Sequence, residues 1–334
     1  MSDRFSAYRI HQRDAAIEAR FEQLTLDDLS PGEVVIGVSH SSINYKDALA
    51  ATGAGRILRR YPLVGGIDLA GSVVQSADPA YKAGDAVLVT GCGLSETRDG
   101  GYAQFARVPA SAVVAMPPGL DALSAMALGT AGFAAARAIM RMEINGQKPS
   151  MGPVVVTGAT GGVGSLAIDM LSAKGYEVVA LTGKPESEPY LRALGATQLL
   201  LRSELTLGKQ PLESARWGGA IDNAGGDTLA WLLRTTHDGG NIASIGLASG
   251  GELHTTVMPF ILRGVGLLGV NSSAAPRDIR TAVWARLSSD LKPRHLDRIV
   301  TRSIELGELP AVFESYLKGS VVGRTVVRIG PVAA

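Results

Sequence analysis

One stretch limits the fold more than any other: residues 153–184, which read Pro-Val-Val-Val-Thr-Gly-Ala-Thr-Gly-Gly-Val-Gly-Ser, then a helical run, then Tyr-Glu-Val-Val-Ala-Leu-Thr-Gly-Lys. Val154, Val155 and Val156 are apolar and β-branched with no polar residue between them, the pattern of a parallel strand buried on both faces. Gly158, Gly161, Gly162 and Gly164 form the turn that follows, and residues 165–174 carry Leu166, Ile168, Met170 and Leu171 on a helical period. Strand, glycine turn, helix and strand together make a dinucleotide-binding unit. A side chain in the turn would hold the backbone away from the pyrophosphate, whose charge sits on the unpaired N–H groups of the helix N-terminus. The match to G-x-G-x-x-G is incomplete, because Ala159 stands at the first position, followed by Gly161 and Gly164. A tight turn without a ligand is the competing reading of the glycines alone, and the flanking strands weigh against it.

The end of the second strand selects the dinucleotide. An NAD site places Asp or Glu about 20 residues after the turn, where it accepts hydrogen bonds from the ribose 2′-OH. Here Thr182-Gly183-Lys184 stands in that place. A carboxylate would repel a 2′-phosphate, whereas a hydroxyl, a close glycine backbone and an ammonium would bind it, so the expected coenzyme is NADPH.

The rest of the chain alternates in texture. Residues 5–125 are β-rich with frequent turns: 34–38, 69–74, 86–89, 102–108 and 112–116 read as strands, and their spacing predicts a small barrel. Pro117-Pro118-Gly119 ends that region, and an alanine-rich helix follows from Asp121 to about Met140. From Val154 onward strands (177–181, 198–201, 219–223, 240–246, 264–270) alternate with helices (188–194, 228–235), which predicts a doubly wound parallel α/β sheet. A helix over 277–287 leads to a last helix and strand within 314–327, returning to the first domain. With 334 residues, two domains can each bury a core. A net charge of +1 and 19% charged residues give no nucleic-acid or membrane surface. The N-terminus has no basic-then-apolar leader and no uninterrupted apolar stretch is long enough for a bilayer span, so the cytoplasm is expected. Cys92 is the single cysteine, and His11, His40, His237, His254 and His295 lack ligand spacing, so no metal site is expected.

Several segments together resemble the medium-chain dehydrogenase/reductase superfamily: Ser42-Ile-Asn-Tyr-Lys-Asp-Ala48, Gly65-Gly-Ile-Asp-Leu-Ala-Gly71, Gly84-Asp-Ala-Val87, Gly100-Gly-Tyr-Ala103, Gly129-Thr-Ala-Gly132, the glycine turn, and Thr256-Val-Met-Pro-Phe-Ile-Leu-Arg263. Asn-Tyr-Lys-Asp-Ala with Val-Met-Pro-Phe-Ile-Leu-Arg is similar to the zinc-free quinone-oxidoreductase branch and its acryloyl-CoA reductase group. The resemblance implies a GroES-like β-barrel catalytic domain over residues 1–126 and 300–334, interrupted by a Rossmann NADPH-binding domain over 127–299, with the active site in the cleft between them. Gly66-Ile67-Asp68 stands where zinc relatives carry a Gly-His-Glu motif, so an activated alkene or quinone is expected as the hydride acceptor in place of a plain ketone.

By position, the resemblance implies that Tyr45 lies beside the nicotinamide, that Thr160, Gly161, Gly162 and Val163 hold the pyrophosphate, and that Thr182, Gly183, Lys184 and Arg202 hold the 2′-phosphate. Leu247, Ile261 and Ser272 fall at positions lining the nicotinamide half, and Gly319 at a late contact. Tyr45 and Asn44 are the catalytic candidates. A phenol O–H can stabilise an enolate oxygen or deliver a proton, and an amide can hold the nicotinamide or its ribose. A capped turn with a packed aromatic is the plain alternative for this pair. Lys46 and Asp47 read as a local ion pair, and Asp68 as a structural hydrogen-bonding group. Arg56, Arg59 and Arg60 read either as a solvated loop or as a contact for coenzyme A phosphates. The reaction expected is reduction of an enoyl-CoA, acryloyl-CoA first; a quinone reductase and an NADPH-binding sensor without turnover stay open. An apolar strand over 265–270, late in the sheet, predicts a homodimer paired through it between Val265 and Val270.

Overall fold

The structure is a computed structural model that describes residues 4–14 and 16–330. In chain order it opens with β1 (Phe5–Arg13), β2 (Ala16–Leu24), β3 (Val34–Ile43), α1 (Tyr45–Thr52), β4 (Leu63–Val64), β5 (Asp68–Ser76), β6 (Ala86–Thr90), β7 (Phe105–Val108), β8 (Val114–Ala115) and α2 (Ala122–Ile144). There follow β9 (Val154–Thr157), α3 (Gly162–Ala173), β10 (Val178–Thr182), α4 (Glu188–Ala193), β11 (Gln198–Leu201), β12 (Trp217–Asp222), α5 (Gly226–Thr235), β13 (Thr236–Ser244), α6 (Met258–Arg263) and β14 (Gly266–Gly269). The chain ends with α7 (Arg277–Leu287), α8 (Leu296–Ile299), β15 (Val300–Glu305), α9 (Leu309–Leu317) and β16 (Arg324–Arg328).

Two compact units result. The first holds the described residues up to Thr130, Ser273–Ser288, and the described residues from Val300; the second holds Ala131–Ser272 and Ser289–Ile299. In the first, a seven-stranded sheet runs β15-β16-β3-β5-β6-β8 with β7 also on β3, beside a three-stranded sheet β2-β1-β4. β3 is central because β5, β7 and β16 all pair with it, which accounts for its buried Val34, Val35, Ile36 and Val38. These pack with Ile10, Leu63, Tyr102, Phe313 and Val327 in one core.

The second unit is a six-stranded parallel sheet in the order β11-β10-β9-β12-β13-β14. Val155, Val179, Ala220 and Ile242 from four adjacent strands pack with Trp217, Trp231 and Leu232. Every strand and helix expected between Val154 and Val270 is present there, within a few residues of its expected ends.

Two differences from the sequence reading have physical reasons. Ser273–Ser288 packs with the first unit, although the expected boundary placed it in the second. The Cys92 N–H donates to Ser273 O at 2.8 Å, the buried Arg280 guanidinium meets Cys92 Sγ and Ser111 O, and Arg277 reaches the Tyr81 hydroxyl at 3.0 Å. The α7 periodicity contains nothing that says which unit it docks on. Second, α2 is long and apolar enough to cross a membrane, the one such helix among the described residues, but most of it is buried inside the protein as a core helix.

Candidate active site and coenzyme cradle

In the second unit, the turn after β9 exposes backbone donors. Gly158 has φ +57°, and a Cβ at Gly164 would fall 2.4 Å from Gly158 O, so the helix can start this close to the strand only with glycine there. The first bond inside α3 runs from Ser165 N to Gly161 O at 2.8 Å, which leaves the N–H groups of Gly162, Val163 and Gly164 outside the helical ladder. Thr160, ahead of them, is buried. Three N–H groups at the positive end of a twelve-residue helix favour an anion there without any side chain.

Next to it, β10 ends in Thr182, buried, whose hydroxyl accepts the Lys184 N–H at 3.1 Å. Parallel pairing of β10 with β11 brings Arg202, just past β11, to the same edge. Its Nη2 lies 3.2 Å from where a Cβ of Gly183 would stand, so the guanidinium rests against the Gly183 backbone. Burial lowers the Lys184 pKa, and the nearby Glu186 carboxylate opposes that shift. Thr182, Gly183, Lys184 and Arg202 thus converge as a basic cradle.

Leu247 stands just after β13 in a loop tied to the β12 end by Ile245 N to Asp222 O (2.8 Å) and Ser249 N to Ala224 O (2.7 Å). Its side chain is 69% exposed, and Ile261 on α6 is 67% exposed, so both are apolar groups open to a ligand or a partner. Ser272 is half-buried beyond β14.

In the first unit, Tyr45 opens α1 and is 49% exposed, with its neighbours far more enclosed. Asp47 caps the helix, accepting the Asn44 N–H at 2.8 Å and the Ile67 N–H at 2.9 Å. Asp68, fully buried, accepts Ser42 Oγ (2.7 Å), Asn44 Nδ2 (2.8 Å) and the Thr130 N–H (2.9 Å) on Oδ2, and Thr130 Oγ1 (2.6 Å) on Oδ1. Arg324 from β16, also buried, donates to Ile43 O (3.1 Å), Asn44 Oδ1 (3.0 Å), Ala127 O (2.9 Å) and Ser42 Oγ (2.8 Å), with its Nη2 4.0 Å from Asp68. Gly129, at φ +51°, admits this cluster: a Cβ there would stand 2.6 Å from Asp68 Oδ2 and 2.7 Å from Arg324 Nη2. Burial and the neighbouring Asp68 carboxylate push the Asp47 carboxyl up to about 7.

This geometry bears on three assignments and overturns one, the Lys46–Asp47 ion pair. Asn44 donates from Nδ2 to Asp47 and Asp68 and accepts from Arg324 on Oδ1, bonds that fix the start of α1. Lys46 pairs with Glu96 and bonds Ser273 Oγ at 3.2 Å, so it and Asp47 are not partners. Gly319 closes α9 at φ +63°, its N–H on Tyr316 O at 3.0 Å, a left-handed helix end that favours glycine. Of the loop arginines, Arg60 is held by Thr97 O (2.8 Å) and Ser30 Oγ (2.5 Å), while Arg56 and Arg59 line a cleft of about 450 Å³ with Gln12, Leu58 and Tyr61. Arg324, Ser42 and Thr130 support the α1 start through these buried bonds, and the glycine at 129 inside a helical run is the sequence signal for the close approach.

Residues 30–118 match the alcohol dehydrogenase GroES-like domain, and residues 162–289 match the zinc-binding dehydrogenase family. The acrylyl-CoA reductase AcuI of Ruegeria pomeroyi is 47% identical over 313 residues, covering 93% of this chain and 94% of that one. The chain belongs to the medium-chain dehydrogenase/reductase superfamily. It is an oxidoreductase built from a GroES-like unit and a Rossmann unit. Within the superfamily, the crystal structure of the YhdH oxidoreductase from Salmonella enterica in complex with NADP superposes with TM-score 0.94 at 44% identity, covering 97% of this chain and 99% of that one. Bacillus subtilis YhfP, named "Putative quinone oxidoreductase YhfP", is 44% identical over 98% of this chain and 100% of its own; its structure with NAD bound gives TM-score 0.94.

The second matched family is named for zinc, and the residues here do not fit that ion. Both Asp68 oxygens are taken by four protein donors, and among the described residues no group of three His, Cys, Asp or Glu side chains stands close enough to hold a metal. The glycine turn and the basic cradle, in contrast, fit a phosphorylated dinucleotide.

Proposed function

We propose that this protein is an NADPH-dependent reductase of α,β-unsaturated acyl-CoA thioesters, with acryloyl-CoA as substrate and propionyl-CoA as product. The observation that carries the reading is the basic cradle of Lys184 and Arg202 around Gly183, in a chain 47% identical to an acrylyl-CoA reductase. The N–H groups of Gly162, Val163 and Gly164 would hold the pyrophosphate, and Thr182, Lys184 and Arg202 the 2′-phosphate. When bound, NADPH supplies the hydride that adds to the β-carbon. Reduction then needs the growing negative charge on the thioester oxygen to be stabilised and a proton to reach the α-carbon. Tyr45 is assigned to the oxygen, since its exposed phenol is a donor on a helix start held rigid by Asp47, Asn44, Asp68 and Arg324. Such an enzyme works in the cytoplasm, where reduced coenzyme and acyl-CoA are both supplied.

The test is NADPH oxidation, followed by absorbance, with acryloyl-CoA against a simple benzoquinone. Turnover of the thioester with little of the quinone is expected. Fast quinone turnover with none of the thioester would instead favour a quinone reductase, and NADPH binding without oxidation by either acceptor would favour a sensor.

We also propose a homodimer through β14. This strand is the outer member of the sheet, and Val257, Ile261 and Leu262 on and beside the preceding helix are each more than half exposed. An unpaired edge flanked by apolar side chains is costly to leave open, and a second copy covers it. Light scattering should give twice the chain mass; a monomer mass at every concentration would refute the pairing.

A further inference from the structure

The strand order reverses between β9 and β12: from β9 the chain builds outward through β10 and β11, then returns to lay β12 on the other side. In an open parallel sheet a dinucleotide straddles that reversal, at the carboxyl ends of the strands. The residue pinned there is Asn223, just past β12. Its N–H donates to Thr157 Oγ1 at 2.8 Å and its Nδ2 to Thr157 O at 2.7 Å, which fixes the amide, because only the NH2 end can face a carbonyl oxygen. Thr157 Oγ1 in turn donates to Asp222 Oδ1 at 2.8 Å, locking the two strand ends together. The Asn223 side chain lies against the glycine turn, its Cβ 3.4 Å from where a Cβ of Gly158 would be, and its carbonyl accepts the Ala248 N–H of the Leu247 loop at 3.3 Å. Asn223 Oδ1 is buried and has no protein partner, in a set of strand-end groups whose other bonds are all made.

We propose that Asn223 Oδ1 accepts a hydrogen bond from a hydroxyl of the nicotinamide-side ribose of the bound dinucleotide, and so sets that half of the coenzyme in register with the pyrophosphate turn. This rests on the NADPH reading above. An amide oxygen can only accept, so phosphate oxygens are excluded as partners and the group it meets must carry a hydrogen. The adenosine half belongs to the β10 and β11 ends, where Gly183, Lys184 and Arg202 converge; β12 lies on the opposite side of β9, with the nicotinamide half. The donors on that half are the ribose hydroxyls and the carboxamide NH2. The ribose is the nearer of the two to the pyrophosphate, and Asn223 touches the pyrophosphate turn.

Calorimetric titration of NADP+, 2′,5′-ADP and 3-acetylpyridine-NADP+, which lacks the carboxamide N–H, tests this on Asn223→Ala. The expected result is a roughly three- to tenfold weakening for NADP+ and for the acetylpyridine analogue alike, the size of one net hydrogen bond, with 2′,5′-ADP unchanged. Asn223→Ser, which keeps a donor for Thr157 O, should give the same pattern and guards against collapse of the turn in the alanine variant. Undiminished NADP+ binding overturns the proposal. So does a loss for NADP+ that disappears with the acetylpyridine analogue, which would make the carboxamide the donor, or a serine variant that weakens 2′,5′-ADP equally. Wild-type protein that bound neither NADP+ nor 2′,5′-ADP would refute the coenzyme reading itself, a result separate from these.

Discussion

At the proposed coenzyme end of the Rossmann unit, the groups assigned to the ligand are backbone N–H groups and two cations, all supplied between Gly158 and Arg202. At the start of α1 in the GroES-like unit, they are two carboxylates and a guanidinium buried from water, and the bonds of Arg324 reach partners 197 to 282 positions away in sequence. The first arrangement turns backbone donors and cations toward one face, where a ligand can meet them. The second satisfies nearly every donor internally so that one exposed phenol, Tyr45, is held still. The comparison teaches that a recognition surface can be encoded locally, whereas a rigid support for a reacting group is built from many distant segments at once.

That contrast makes the Arg324 cluster the more fragile of the two. Arg324→Met keeps the bulk but removes the cation beside Asp68 and leaves Ile43 O and Ala127 O without this donor. Breaking a buried pair by removing one partner costs about 3–5 kcal/mol, which urea unfolding would register as a large fall in stability. If the loss were under about 1 kcal/mol, Ser42, Asn44 and Thr130 alone would suffice for Asp68, and the arginine would be dispensable.

The coenzyme cradle should respond in the opposite way. Replacing Lys184 and Arg202 together by Gln removes two exposed or half-exposed cations and leaves the fold's core untouched, so thermal stability should hardly change. NADPH affinity should fall roughly 10- to 100-fold, the size of one or two charge-assisted hydrogen bonds, while NADH affinity stays level. Equal losses for both coenzymes would mean that the cations do not read the 2′-phosphate, and that this pocket is no more local than the other.

The same contrast explains what was legible in the sequence. Val154–Thr157 and Val178–Thr182 lie in a sheet covered on both faces, so composition alone marks them as strands, and the glycine turn follows from backbone geometry. The β1–β2 hairpin reads less clearly, because β2 puts Glu18, Arg20 and Glu22 on one face and Ile17, Ala19 and Phe21 on the other, and that apolar face is itself only half-buried or exposed. Asn44-Tyr45-Lys46-Asp47 could be placed at a helix start, but the reach of each side chain depends on Ile67, Glu96 and Arg324, which local periodicity does not bring near. Arg324 itself reads only as a polar residue in Val-Val-Gly-Arg-Thr-Val-Val; its burial becomes visible once β16 is paired with β3.

Asp47 offers the finest test, because it titrates. Its carboxyl ionises in the unfolded chain at an ordinary 3.8, and burial with Asp68 nearby raises that to about 7 in the folded unit. Below about pH 4 both states are protonated and the group is neutral to folding. As pH rises, the unfolded chain releases its proton first, so the stability present at low pH is lost progressively until the folded carboxyl also ionises near 7. Asp47→Asn removes the titration while keeping one acceptor for the Ile67 N–H, at the cost of setting an NH2 against the Asn44 N–H. The level of its stability should therefore drop at every pH, but the difference between wild type and variant should shrink by about 1–2 kcal/mol between pH 5 and pH 8, less than the full shift implies because the site relaxes around a charge. Urea midpoints at several pH values read this directly. A constant difference across the range would mean that Asp47 is already ionised at low pH, paired in effect with Arg324, and the cluster at α1 would then be a charge-balanced site of the same kind as the cradle instead of its opposite.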